Sequence, residues 1–85
     1  MHYVYLIRSI SNPNQTYIGN TENLRQRLET HNSGGSKFTK PYRPWELILF
    51  LGFKDKLKAT AFEKYLKSGS GSSFAKNDFG KEFDG

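Results

Sequence analysis

The chain has 85 residues, which is enough for one domain; it has no cysteine and only two histidines, which excludes disulfide scaffolds and disfavours a zinc site. No stretch approaches the ~20 apolar residues of a membrane helix, and the N-terminal residues lack the plan of a signal peptide, so we expect a cytoplasmic protein with no membrane contact. The formal charge of +5 and the 15% aromatic content suit a nucleic-acid partner, although ordinary solubility charge explains them equally well.

The first twenty residues predict a β-hairpin. Residues 3–7 are β-branched and aromatic and form a nearly continuous apolar run, which is typical of a strand covered on both faces. Turn-forming residues follow at 11–15, and residues 16–19 predict a second strand. The two strands are therefore expected to pair through a loop of several residues.

A helix is expected after the hairpin. Thr21 is the predicted N-cap, because its hydroxyl can accept a bond from a backbone N–H group. Leu24, Leu28 and His31 recur at helical spacing and therefore lie along one side of this helix. The helix is expected to end at residues 33–35, which include two glycines.

The middle of the chain predicts a loop, a strand and a second helix. Residues 33–44 are polar and basic, and Pro41 and Pro44 are expected to prevent regular structure there. Residues 45–53 are nearly all apolar and are predicted to form the central strand of the sheet. Residues 56–67 have helical spacing of their apolar positions.

Little regular structure is predicted for residues 68–85. A Gly/Ser break covers 68–73, one short helix is possible from Phe74, and the tail at 78–85 is acidic and expected to fray. The element order β-β-α-β-α, with the possible C-terminal helix, predicts an α+β fold. We expect a three-stranded, mainly antiparallel sheet flanked by helices.

Five polar residues could form a site for phosphoryl transfer. Tyr5 and Tyr17 lie on the paired strands, Arg27 and His31 share a helix face because they are four residues apart, and Glu63 lies on the second helix. A carboxylate can hold a magnesium ion, an arginine can offset charge on a phosphate, and a phenol or imidazole can accept a proton from water.

Each of these residues also has an ordinary structural explanation. Tyrosines are typical strand residues, and a histidine near a helix C-terminus is stabilised by the helix dipole. Glu63 stands four residues before Lys67, as in many surface ion pairs of small energetic value. Spacing alone therefore favours structural roles over catalysis.

The order of the motifs changes that balance. Tyr3–Tyr5, followed after 11 residues by Tyr17–Gly19, resembles the paired motif of the GIY-YIG nuclease superfamily. Residues 17–32 resemble the run Tyr-x-Gly-x-Thr-x-Asn-Leu-x-x-Arg-Leu-x-x-His-Asn of that family. Residues 62–71 resemble the Glu-Lys-x-Leu-Lys-x-Gly helix end of its small single-domain bacterial and phage members. The resemblance covers residues 1–77, which are expected to form the GIY-YIG catalytic domain.

The resemblance implies a DNA endonuclease that requires Mg²⁺ or Mn²⁺, and it implies a role for each matching residue. Tyr17 corresponds to the tyrosine that activates water, and Tyr5 to the one that orients water or phosphate. Arg27 corresponds to the arginine that contacts the scissile phosphate. His31 corresponds to a histidine that assists proton transfer. Glu63 corresponds to the ligand of the divalent metal. Gly19 corresponds to the glycine that lets the strand pass close to the site. Whether Tyr17 or His31 is the general base stays open, as does the choice between single- and double-stranded DNA.

Further residues are expected to bind the nucleic-acid backbone. These are the cations of the loop and of the second helix, namely Lys37, Lys40, Arg43 and Lys67. Trp45 could stack on an unpaired base, but core packing is the favoured explanation. A separate recognition domain is not expected in this chain, so a partner protein could supply targeting.

One departure from the family pattern supports an alternative function. Ser72 and Ser73 stand where the small members carry arginine. The alternative is a catalytically weak nucleic-acid-binding module that keeps the GIY-YIG fold.

Overall fold

The computed structural model describes residues 1–68. Their elements, in chain order, are β1 (His2–Ser9), β2 (Thr16–Thr21), α1 (Leu24–Ser33), a 3₁₀ turn (Lys40–Tyr42), β3 (Trp45–Phe53) and α2 (Lys56–Lys67). The β-β-α-β-α order and the α+β class predicted from the sequence are confirmed. The helix predicted from Phe74 and the acidic tail at 78–85 lie outside the described residues.

The three strands form one antiparallel sheet in the order β2-β1-β3. The central strand is therefore β1, and the prediction that residues 45–53 form it is wrong. Every residue from Val4 to Ser9 is buried, whereas Phe50 and Leu51 on β3 are 48% and 46% exposed. An apolar run predicts burial of side chains but does not reveal whether both strand edges are paired, and this is why the sequence placed β3 wrongly.

The two helices cover opposite faces of the sheet. Successive side chains of a strand point to opposite faces, so the neighbours Val4 and Tyr5 belong to different packing clusters. On one face Val4 packs with Ala59 and Leu66 of α2. On the other face Tyr5 packs with Ile7 and Trp45, and the cluster is extended by Tyr17, Leu24, Leu28, Tyr42 and Leu47. The face covered by α1 carries the polar residues of interest.

Helix α1 begins later than the sequence predicts. Its N-cap is Asn23, whose Oδ1 accepts a hydrogen bond from the Gln26 backbone N–H at 3.1 Å, so the prediction of Thr21 is wrong. Thr21 is still paired with Tyr3 in the sheet, and its hydroxyl accepts a hydrogen bond from the backbone N–H of Asn23, before the helix begins. The predicted C-terminal end is confirmed: Gly34 takes a left-handed conformation with φ 88° and donates its backbone N–H to Thr30.

The loop between α1 and β3 contains the short 3₁₀ turn, so the prediction that Pro41 prevents regular structure there is wrong. Pro41 occupies the first turn, where a missing N–H group costs nothing because it would have no partner. Helix α2 is capped by Asp55, whose carboxylate accepts the Leu57 N–H at 2.8 Å. Within residues 1–68 no helix has the length and apolar character needed to cross a membrane.

Candidate active site

The site is organised around the hydroxyl of Tyr5 on the central strand. Tyr5 faces Gly19 of β2 in the antiparallel register, and its ring crosses over that residue. A Cβ atom on Gly19 would lie 2.5 Å from Cζ of Tyr5 and closer still to its hydroxyl oxygen. Only glycine leaves this space, so the sequence prediction that Gly19 allows a close approach has a defined structural reason.

A chain of hydrogen bonds links Tyr5 to α1 and to the loop that follows it. The Arg27 Nε–H donates to the Tyr5 hydroxyl oxygen at 3.4 Å. The same hydroxyl lies 2.8 Å from Nε2 of His31, and Nδ1 of His31 lies 2.8 Å from Oγ1 of Thr39. The Thr39 hydroxyl in turn lies 3.4 Å from the carbonyl oxygen of Ser36.

One arrangement of protons satisfies every contact in this chain. The Ser36 carbonyl can only accept, so the Thr39 hydroxyl donates to it and accepts from the Nδ1–H of His31. Nε2 of His31 is then the acceptor, and Tyr5 donates its O–H to that atom. Arg27 completes the chain by donating to the oxygen of Tyr5. The imidazole is therefore neutral, and its Nε2 accepts the hydrogen bond that the Tyr5 O–H donates.

The electrostatics of the site agree with a neutral imidazole. His31 is fully buried, and this burial together with the charge of Arg27 lowers its pKa from 6.5 to about 4. Burial also raises the pKa of Tyr5, although Arg27 acts in the opposite direction. The hydrogen bond to Tyr5 raises the pKa of Arg27, so the guanidinium is charged at every physiological pH. At neutral pH the network thus contains one cation and two neutral rings.

Tyr17 lies beside this network but is not enclosed by it. Its ring centroid is 4.9 Å from that of His31 and 6.3 Å from that of Tyr5. Hydrogen bonding to Tyr17 also contributes to the raised pKa of Arg27. Tyr17 is partly exposed, whereas Tyr5 and His31 are both fully buried. Of the ring side chains gathered here, Tyr17 is therefore the one that a ligand in solvent can reach.

Glu63 approaches from the helix on the opposite face of the sheet. Its negative charge contributes to the raised pKa of Tyr5, so the carboxylate acts on the same hydroxyl as Arg27. Its Oε2 accepts a hydrogen bond from Nζ of Lys67 at 2.8 Å, and the Glu63 side chain is 19% exposed. The surface ion pair expected from the i,i+4 spacing is thus present, and it occupies one of the two carboxylate oxygens.

A metal site here would rest on a single protein ligand. Within residues 1–68 no group of three or more His, Asp and Glu side chains is arranged to hold a metal ion. Mg²⁺ accepts such an arrangement, because it keeps several waters and is often held by one or two carboxylates together with substrate phosphates. Glu63 is partly exposed and has one oxygen beyond its bond to Lys67, so its chemistry fits this kind of ion.

The predicted nucleic-acid-binding cations lie in two places. Lys37, Lys40 and Arg43 are exposed in the loop between α1 and β3, where the Arg43 Nε–H donates to the Lys40 carbonyl at 3.0 Å. Lys67 is 54% exposed on α2 and is engaged by Glu63. The core packing that the sequence favoured for Trp45 is confirmed: Trp45 is only 5% exposed and its Nε1–H donates to the Thr39 carbonyl, so it does not stack on a base.

Sequence reasoning missed two residues that support the site. Thr39 is 1% exposed and fixes the tautomer of His31, but a threonine in a polar loop gives no signal of that role. Asn32 holds the start of β3, since its side chain accepts the Trp45 N–H and donates to the Trp45 carbonyl. The position of Asn32, directly after His31 in the motif, is the only signal that could have identified it.

Comparison with known proteins gives consistent matches. Residues 1–77 match the family model described as the GIY-YIG catalytic domain. The structure-specific endonuclease subunit SLX1 of Malassezia globosa is 42% identical over 67 residues, which are 74% of this chain and 15% of that protein. The UPF0213 protein YazA of Bacillus subtilis is 40% identical over 67 residues, which are 78% of this chain and 66% of that protein.

A solved structure agrees with the fold. The solution NMR structure of the UPF0213 protein BH0048 from Bacillus halodurans has a TM-score of 0.50 and 30% sequence identity, and the match covers 84% of this chain and 77% of that one. The two kinds of relative differ in extent. The chain spans 15% to 29% of the length of six SLX1 proteins, but 66% to 77% of the length of two UPF0213 proteins and of the solved chain.

Proposed function

The chain belongs to the GIY-YIG nuclease family, and from that premise we propose that it is a metal-dependent endonuclease that hydrolyses phosphodiester bonds of DNA. Residues 1–77 are its catalytic domain in this proposal. The observation that carries it is the convergence of charged and phenolic groups on Tyr5. Its hydroxyl bonds to Arg27 and His31, and the charge of Glu63 acts on it from the other helix.

In the proposed reaction, water attacks the phosphorus atom of the scissile phosphate. A bond forms between the water oxygen and phosphorus, the bond from phosphorus to one ester oxygen breaks, and the leaving oxygen takes up a proton. Negative charge accumulates on the phosphate oxygens in the transition state, and a fixed cation stabilises it. Arg27 serves this role, since its Nε is used by Tyr5 while a guanidinium offers further N–H donors.

The burial of the rings supports different roles for the two tyrosines. Tyr17 is partly exposed, and in its phenolate form it is proposed to accept the proton of the attacking water. His31 is fully buried, and its Nε2 is occupied by the Tyr5 hydroxyl, so it cannot contact that water directly. We therefore assign His31 a positioning role: it orients Tyr5, and through ring packing it supports Tyr17.

Glu63 is the proposed ligand of the divalent ion, Mg²⁺ or Mn²⁺. When bound, the ion would supply positive charge that offsets the charge of the phosphate oxygens. Lys67 forms an ion pair with Oε2 of the same carboxylate, so its positive charge would oppose binding of the ion, while Oε1 remains for coordination. The exposed residues Lys37, Lys40 and Arg43 are proposed to hold the DNA backbone.

The relatives suggest a context for the reaction. SLX1 proteins are named structure-specific endonuclease subunits, and this name motivates the proposal that a partner protein directs the present domain to its substrate. Assays of the isolated chain on single-stranded, duplex and branched DNA of one sequence would reveal any preference that is intrinsic to the domain. A preference that appears only with an added protein would support the targeting role.

The test of the proposed function is DNA cleavage in the presence of Mg²⁺ or Mn²⁺. Wild type is expected to cut, and Glu63→Gln is expected to lose activity by about 100-fold or more, because the ligand loses its charge with little change of shape. Glu29→Gln is the matched control, since Glu29 is an exposed carboxylate on α1. If wild type binds DNA but cuts no substrate with either ion, the binding-module alternative replaces the endonuclease.

A further inference from the structure

The loop between α1 and β3 presents an exposed aromatic side chain. Phe38 is 82% exposed and stands between Lys37 and the buried Thr39. An isolated apolar residue at a surface is common and carries no conclusion by itself. Two independent features accompany it here: hydrogen bonds fix the backbone beside it, and the exposed cations Lys37, Lys40 and Arg43 belong to the same loop.

The rigidity comes from Thr39. Its hydroxyl lies 2.8 Å from Nδ1 of His31, and its carbonyl accepts hydrogen bonds from the Trp45 Nε1–H at 2.8 Å and the Tyr42 N–H at 3.1 Å. The Lys40 N–H closes the turn by donating to the Ser36 carbonyl at 2.9 Å. Phe38 thus extends into solvent from a fixed backbone instead of a mobile one.

The same bonds keep Phe38 close to the candidate active site. Phe38 is adjacent to Thr39, which bonds to His31, which bonds to the Tyr5 hydroxyl. The side chain of Thr39, the imidazole ring of His31 and two hydrogen bonds therefore separate the backbone of Phe38 from the Tyr5 hydroxyl. A strand whose phosphate lies at Arg27 would have bases within a few nucleotides of this ring.

The positive charge of the loop indicates which class of molecule could bind there. Lys37, Lys40 and Arg43 are exposed on the same turn, and among residues 34–44 there is no acidic side chain. Cations that share a loop with an exposed aromatic ring suit a polyanion that also offers flat apolar faces, and proteins that bind single strands combine these two features. An apolar protein surface would not need these cations.

We propose that Phe38 stacks on an unpaired base of the DNA substrate, so that the domain favours DNA with an unstacked base a few nucleotides from the scissile phosphate. This inference rests on the proposed function and specifies its substrate class. A fully paired duplex keeps its bases stacked on each other, so it can use the cations of the loop but not the ring.

The test measures binding without cleavage. Fluorescence anisotropy in EDTA, with no divalent ion, gives the affinity for a single strand and for a duplex of the same sequence. Phe38→Leu keeps an apolar side chain but removes the ring, and is expected to weaken single-strand binding on the order of 10-fold, as loss of one stacked base does. Duplex binding is expected to change less than about two-fold.

Two further variants control the interpretation. Phe38→Trp is expected to retain single-strand affinity and to show quenching of its own fluorescence by DNA, because the native Trp45 is buried and contributes little to such quenching. Phe50→Leu removes another half-exposed ring, which lies on β3 and packs against Tyr3 of β1, and is expected to leave both affinities unchanged.

Several results would overturn the proposal. They are an unchanged affinity of Phe38→Leu for single strands, equal losses on single strand and duplex, an equal loss in Phe50→Leu, or no single-strand binding by wild type. An exposed ring that binds a protein partner instead would give the first of these results. Failure of the endonuclease proposal is seen separately, as wild-type protein that binds single strands through Phe38 but cuts nothing when Mg²⁺ is added.

Discussion

The buried imidazole of His31 makes a quantitative prediction about acid stability. Its pKa is about 4 in the folded protein, against 6.5 for a free side chain. Between these values the unfolded chain binds a proton that the native protein excludes, so lowering the pH stabilises the unfolded state. Stability is therefore fully present above about pH 6.5 and is lost as the pH falls toward 4.

The size of the effect follows from the pKa difference. Each unit of pKa difference corresponds to about 1.4 kcal/mol, so the full difference corresponds to about 3 kcal/mol. By pH 5 the loss is about 2 kcal/mol, because the unfolded histidine is then almost fully protonated and the native one is almost neutral. A loss of this size is a large fraction of the stability of a small domain.

Urea unfolding at pH 7, 6 and 5 measures this loss. The emission of Trp45, which is 5% exposed in the native protein, reports unfolding. The variant His31→Gln cannot titrate and offers its amide to the same partners, so it is expected to lose about 2 kcal/mol less than wild type between pH 7 and 5. His2→Gln removes the other imidazole and leaves this network in place, so it retains the His31-dependent loss. Parallel slopes for wild type and His31→Gln would refute the reasoning.

Three other substitutions test the geometry of the site. Gly19→Ala places a Cβ against the ring of Tyr5, so it is expected to destabilise the fold by about 1–3 kcal/mol in thermal unfolding; an unchanged Tm would contradict the close approach. Thr39→Val leaves the buried imidazole N–H without an acceptor and is expected to cost about 1–3 kcal/mol in urea unfolding, with Thr39→Ser as the control that restores it. Lys67→Gln removes the cation that pairs with Glu63 and competes with the metal ion. Half-maximal cleavage is then expected at a Mg²⁺ concentration about 2- to 5-fold lower, given the small energy of a surface ion pair. A higher concentration for half-maximal cleavage would contradict Glu63 as the metal ligand.

The elements that the sequence predicted well are those in which local pattern determines structure. The hairpin follows from the β-branched and aromatic run at 3–7 and from the turn residues at 11–15, and α2 follows from its apolar spacing. The central strand was predicted wrongly because β1 and β3 are both apolar, and the order β2-β1-β3 depends on long-range pairing. The cap at Asn23 was missed because Thr21 is also a favourable capping residue, and the retention of Thr21 in β2 is a tertiary effect.

The same distinction between local pattern and long-range contact applies to the residues of the candidate site. The motif spacing identified Tyr5, Tyr17 and His31, and the structure brings these three rings together. It could not identify Thr39, because the contact between Thr39 and His31 depends on the path of a loop that has no periodic pattern. The depressed pKa and the tautomer of the imidazole likewise come from burial and from Arg27, and neither can be deduced from spacing.

We propose that Glu63 of α2, Tyr17 of β2 and Arg27 of α1 form a single metal-dependent site. Paramagnetic line broadening by substoichiometric Mn²⁺ in the isotope-labelled protein tests it most directly. We expect loss of the side-chain resonances of Glu63, Tyr17 and Arg27, with Ile10, the residue after the end of β1, unaffected. No such loss is expected in Glu63→Gln. Broadening centred on another carboxylate, such as Glu22, with sharp Tyr17 and Arg27 resonances would contradict the account.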